Sequence, residues 1–107
     1  MELQSVGCLI VWEYEVLPGQ EARFEKVYGR AGDWAKLFTS SSMYYGTYLQ
    51  VDSKYPRRYT TLDLWASAAV FEEFKKQYAT EYAALDRECA KLTVWEKQIG
   101  WFERSSK

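Results

Sequence analysis

The chain has 107 residues, 48% of them hydrophobic, a length that suits one domain and is too short for two. Its net charge of −1, with both signs interspersed, argues against nucleic acid or an anionic membrane as partner. Neither histidine nor asparagine occurs anywhere in it, which removes the commonest general base, the commonest metal ligand and any Cys/His metal spacing.

Aromatic residues make up 18%, including five Trp and nine Tyr. Two readings stay open: a core that happens to use aromatic rings, or rings that also wall a cavity. Cys8 and Cys89 are too few for a disulfide framework and are expected to be reduced and buried. Met1 to Gln4 lacks the basic region of a signal peptide, and the apolar run Cys8 to Trp12 is too short to span a bilayer, so a cytoplasmic location is expected.

Taken in order, Val6 to Val16 reads as a first strand, apolar on both faces in its first half. Pro18-Gly19 is a turn. Gln20 to Phe38 is helical but interrupted by Gly29 and Gly32, with Asp33 placed to cap a short second helix from Trp34 to Phe38. After a serine-rich loop, Met43 to Val51 is a second strand, in which Gly46 marks a bulge or a close approach. Asp52 to Arg57 turns around Pro56; two adjacent arginines there read as a solvated loop.

Arg58 to Ala66 is the third strand, and it holds the most informative residue. Asp63 is an acid in the middle of an apolar strand, and Tyr59 and Trp65 share its parity and hence its face. Unless paired, such an acid has a raised pKa. Ser67 caps a helix that runs to about Ala90 with room for a kink, and that carries a stripe of Phe71, Phe74, Tyr78, Tyr82, Leu85 and Cys89. Thr93 to Glu96 matches a capping box, which predicts one helical turn before a last strand over Gln98 to Glu103.

The order strand, helix, strand, strand, helix, strand, with right-handed crossovers, predicts an α+β, ferredoxin-like βαββαβ fold. A four-stranded antiparallel sheet then carries both helices on one face. Its other face is left apolar, and a second copy of the chain, sheet against sheet, is its simplest cover.

Several segments also resemble the antibiotic biosynthesis monooxygenase-like family, dimeric α+β barrel proteins. They are Pro18-Gly19, Tyr28 to Phe38, Arg58-Tyr59 leading to Asp63-Leu64-Trp65-Ala66-Ser67, Glu81 to Asp86, and Leu92-Thr93 through Glu96 to Gly100. The resemblance spans nearly the whole chain. It implies a homodimer with a pocket in each subunit between sheet and helices. It also implies cofactor-independent oxygenation of an aromatic, phenolic or polyketide-like small molecule, with neither metal nor flavin. The haem-degrading branch of that group relies on a first-strand asparagine and on a tryptophan and a histidine of the second helix. This chain lacks asparagine and histidine, and Phe74 is the nearest match at the tryptophan position.

An oxygenase of that kind needs a base, a donor for the developing oxyanion and flat apolar walls. The candidates for chemistry are Asp63 as base, with Tyr78 and Arg58 as possible donors. Those for substrate binding are Trp65, Tyr59, Phe74, Tyr82 and Trp34. The alternative is a non-catalytic homodimeric domain that binds a small ligand or serves as a scaffold, with Asp63 a structural acid. What separates the two is whether titratable side chains converge on one cavity.

Overall fold

Strand and helix propensities sort along the chain as the periodicities require. The computed structural model describes residues 6–105. The elements are β1 (Cys8–Val16), α1 (Glu21–Tyr28), α2 (Asp33–Phe38), β2 (Tyr44–Val51), β3 (Arg58–Trp65), α3 (Ala68–Gln77), α4 (Ala79–Cys89), a 3-10 turn (Ala90–Leu92) and β4 (Thr93–Glu103). One four-stranded sheet has the order β2-β3-β1-β4, and every neighbouring pair is antiparallel. This is the ferredoxin-like α+β arrangement, with the helices on one face.

Alternation along β1 and β3 decides what faces the helices. Cys8, Ile10, Tyr14 and Val16 of β1, and Tyr59, Thr61, Asp63 and Trp65 of β3, are buried on that side. They meet Phe24 and Tyr28 of α1, Phe38 of α2, and Phe71 and Phe74 of α3. The stripe expected on the second helical segment is therefore core: Tyr78, Tyr82 and Leu85 pack against this cluster, and Cys89 lies inside it. The opposite sheet face carries Leu9, Val11, Leu62, Tyr48 and Phe102, of which Tyr48 and Phe102 are 50% and 51% exposed.

The kink allowed for in the helix after β3 is a full break: there are two helices, parted at Tyr78 (φ −113°, ψ 33°), whose ring stacks on Phe74 at 4.9 Å. Three local expectations change. Asp33 is the first residue of α2 rather than its cap; Gly32 holds the cap position in extended backbone. A side chain at Gly32 would drive its Cβ to 2.3 Å from the Val27 carbonyl oxygen, so the chain approach there demands glycine. Thr93 to Glu96 forms no capping box. These residues pair with Val16, Glu15 and Tyr14, so β4 begins five residues earlier than Gln98 and the helical turn precedes Thr93. The ladder along β1 satisfies more backbone groups there than a cap would. The first two strands are also shorter at their starts: β1 begins at Cys8, and β2 at Tyr44.

Ser67 behaves as its sequence position predicts. Its Oγ accepts a hydrogen bond from the Val70 N–H at 3.1 Å and starts α3.

Candidate active site

Two β-bulges shape the floor of the site. On β2, Tyr44 pairs with Trp65 and Thr47 pairs with Asp63, so three residue steps on one strand match two on the other. Gly46, at φ +125°, absorbs the extra residue in a conformation that side chains resist. Tyr44 and Thr47 consequently face the same side although their sequence parity differs. The second irregularity lies where Val11 pairs with Gly100 but Trp12 pairs with Gln98. It leaves Ile99 over and turns Glu96, paired with Tyr14, to the helix side together with Trp101.

Between this floor and the helices lies a cavity of about 170 Å³. Trp12 and Tyr14 of β1, Thr61 and Asp63 of β3, Thr47 of β2 and Glu96 of β4 form its floor and one wall. Tyr28 of α1, with Trp34 and Phe38 of α2, closes another side. Lys75 of α3 and Tyr82 and Asp86 of α4 complete it; Tyr82 and Asp86 share a face because they are one helical turn apart.

Asp63 is the one buried carboxylic acid among the described residues, 9% exposed. Thr47 Oγ1 donates to its Oδ1 at 2.6 Å. The Tyr44 hydroxyl is bonded to the same Thr47 oxygen. Thr47 has one hydroxyl proton, so when it donates to Asp63 it accepts from Tyr44, and the chain runs Tyr44 to Thr47 to Asp63. Burial pushes the Asp63 carboxyl up to about 6, and the Thr47 bond only partly offsets this. Among the described residues no cation forms an ion pair with it: the charge partner of Arg58 is Glu15, at 3.2 Å.

The hydroxyls around the cavity stay protonated. Burial raises Tyr14, which also shares a 2.9 Å hydrogen bond with Thr61, and the Asp63 and Glu96 carboxylates raise it further. Tyr82 is raised by burial and then by Asp86, Asp63 and Glu96. Tyr44 is pushed up to about 12, again mainly by burial. Glu96 is raised by burial and by Asp86. The Trp34 ring meets Tyr82 edge-on at 4.9 Å. Its indole N–H makes no hydrogen bond of normal geometry. With the Tyr28 hydroxyl it eases ionisation of Cys89, a thiol that burial nevertheless holds up.

Of the residues singled out from the sequence, the cavity gathers Asp63, Tyr82 and Trp34. Trp65, Tyr59 and Phe74 share the helix side but are packed into the core behind it, and none lines the cavity. Trp65 is fully buried among Phe38, Tyr44, Phe71 and Phe74. The Tyr59 hydroxyl donates to Glu25 at the other end of the sheet. Tyr78 occupies the helix break against Phe74, also outside the cavity. Arg58 lies on the open sheet face, since it pairs with Glu15 at the parity opposite to Asp63. Its guanidinium sits over the Tyr55 and Trp95 rings, at 5.0 and 5.7 Å. It cannot steady an oxyanion beside Asp63.

Thr47, Glu96, Lys75 and Asp86 were not anticipated. Gly46 was the available signal for Thr47; Glu96 was hidden because its segment resembles a helix cap. Among the described residues, no group of three or more His, Cys, Asp or Glu side chains is arranged to hold a metal ion, and no helix is long and apolar enough to cross a membrane.

No family model and no curated protein matches the chain by sequence. Solved structures do match it in three dimensions. SnoaB, a cofactor-independent oxygenase from Streptomyces nogalater, superposes with a TM-score of 0.75 at 17% identity, covering 95% of this chain and 96% of that one. An antibiotic biosynthesis monooxygenase of Bordetella bronchiseptica, so described only provisionally, gives 0.71 at 16% identity over 94% and 98%. A protein of unknown function from Nitrosomonas europaea gives 0.66 at 18% identity over 96% and 93%. At such identities the likeness establishes the fold alone.

Proposed function

We propose that the protein is a cofactor-independent monooxygenase acting on an electron-rich aromatic small molecule. The observation that carries this reading is Asp63. It is a buried carboxyl with no ion-pair partner among the described residues, poised near neutrality and facing a cavity walled by aromatic rings. A purely structural acid would be expected to have its charge neutralised by a pair. The kinship in fold with an oxygenase of that description supports the reading.

The chemistry follows from these groups. Asp63 takes a proton from an activated C–H beside a phenol or ketone, while the Thr47 hydroxyl holds its other oxygen. The substrate anion then supplies electrons to molecular oxygen, and a C–O bond forms to give a peroxide. That peroxide takes the proton back from Asp63. Asp63 next removes the remaining hydrogen on the same carbon as the O–O bond breaks, and the departing hydroxide takes that proton from Asp63 and leaves as water. In sum, a CH₂ group and O₂ become a carbonyl and water. The Thr61 and Tyr14 hydroxyls, both lining the cavity, spend one of their two protons on each other, and the remaining proton is the donor available to a developing oxyanion. Trp12, Trp34 and Tyr82 supply flat walls.

The working unit we propose is a homodimer joined through the open sheet face. Tyr48, Ile99 and Phe102 are 50%, 45% and 51% exposed there, beside half-buried Leu9, Val11 and Leu62. Oxygen uptake on phenols that carry an activated CH₂, from one-ring compounds up to anthrone, in the presence of a chelator, tests the activity. Uptake that exceeds the buffer rate and vanishes in Asp63→Asn supports it; uptake equal to buffer on every compound overturns it.

A further inference from the structure

The charges around the cavity are unbalanced. Three carboxylates face it, Asp63 from the floor and Asp86 and Glu96 from the rim, against one cation, Lys75. Lys75 is already engaged, its ammonium lying 5.0 Å from the centre of the Tyr82 ring and 5.7 Å from that of Phe71. The carboxylates act across the empty space: Asp63 and Glu96 both bear on Tyr14 and on Tyr82, which sit on opposite walls. The walls themselves present ring faces and edges from Trp12, Tyr14, Tyr28, Trp34 and Tyr82. Negative field together with several aromatic rings is the environment that stabilises an organic cation. It opposes an anion, including the anion that proton transfer to Asp63 would create.

We infer that the ligand of this cavity is a small aromatic amine, bound with its nitrogen protonated and its ring between the aromatic walls. The inference rests on the proposed oxygenase reading only in taking this cavity as the substrate site. It resolves a difficulty in that reading. Arg58 is on the far face and the Lys75 ammonium lies over the Tyr82 and Phe71 rings, so among the described residues neither cation forms an ion pair with Asp63. A substrate that carries its own ammonium supplies the counter-charge when its C–H or O–H is deprotonated. Size agrees with a one- or two-ring compound: an engineered apolar cavity of about 150 Å³ takes benzene, and this one measures about 170 Å³.

The test uses three matched probes with one phenol ring: tyramine, a cation at neutral pH; 4-ethylphenol, neutral; and 4-hydroxyphenylacetate, an anion. Binding is followed by quenching of the tryptophan fluorescence, to which Trp12 and Trp34 in the cavity wall contribute. Tyramine is expected to bind at least about tenfold more tightly than 4-hydroxyphenylacetate, with 4-ethylphenol between, and the ratio should shrink as salt is added. Asp86→Asn, at an exposed helical position, and Glu96→Gln should each narrow the ratio several-fold. An anion bound as tightly as the cation, or a ratio unmoved by both variants, overturns the inference. If the cation preference is absent while Asp63-dependent oxygen uptake on neutral phenols persists, the inference falls and the oxygenase stands. If the preference is present but no phenol or phenolic amine is oxidised, the cation site stands and the oxygenase falls. If no probe binds at millimolar concentration, both fall.

Discussion

Asp63 lowers the stability of the protein it serves. Its carboxyl holds a proton more tightly folded, at about 6, than its ordinary value of 3.8 allows. Between those values the folded state binds more protons than the unfolded one, so this group's stabilising contribution is complete at low pH. It is lost as pH rises through the folded value. At neutral pH the buried charge costs on the order of 1–3 kcal/mol. Asp63→Asn should therefore melt higher than the parent at pH 7 and show little of that gain near pH 4, while losing turnover; melting curves across pH check the first part. In the parent, kcat/KM should rise with pH to a plateau, with a limb near 6. Thr47 lowers the Asp63 carboxyl through its hydrogen bond. Thr47→Val should move that limb to higher pH, and Thr47→Ser should restore it, both read from pH–rate profiles. The acid itself was legible in the sequence, because a carboxylate in an apolar strand is conspicuous. Its hydrogen-bond partner was not, because Thr47 is sixteen positions away on another strand.

The elements were legible wherever periodicity was long, and least so where backbone irregularity intervened. The alternation in β1 and β3, the stripe on α3 and α4 and the Ser67 cap all follow from residue spacing. Two polar groups of the cavity lining, Thr47 and Glu96, owe their orientation to bulges. Without the extra residues at Gly46 and near Ile99, Thr47 and Glu96 would face away from the cavity. A glycine accompanies both bulges, Gly46 in the first and Gly100 beside the second, but of the two only Gly46 takes a positive φ. Arg58 failed as a site candidate for the same parity reason: it is an odd number of steps from Asp63 and faces the other side. The cap at Ser67 offers a direct check on the element scale. Ser67→Ala removes the acceptor for the Val70 N–H, which should cost about 1 kcal/mol. For a domain of this size that lowers Tm by about 4–8 °C, without changing the limb set by Asp63.

At the scale of the whole molecule, one sheet divides two tasks. Its helix side encloses the cavity, while its open side carries Phe102, Tyr48 and Leu62 with the Arg58–Glu15 pair. The proposed dimer covers the second side. Phe102→Asp, at a position whose ring now lies over Gly100, should yield a monomeric mass in light scattering at micromolar concentration with the circular dichroism of a folded chain. A parent protein that is itself monomeric would remove the dimer from the account. The fold was readable from element order because six elements with right-handed crossovers leave few arrangements. The substrate's identity was not readable, because cavity charge arises from residues of separate elements. The central claim, that Asp63 drives cofactor-free oxygenation, is tested most directly by oxygen uptake in the presence of chelator, comparing the parent with Asp63→Asn on the same phenols. The account predicts uptake well above the buffer rate for the parent, one O₂ per carbonyl formed, and the buffer rate for a folded Asp63→Asn. Equal uptake by the two proteins would contradict it.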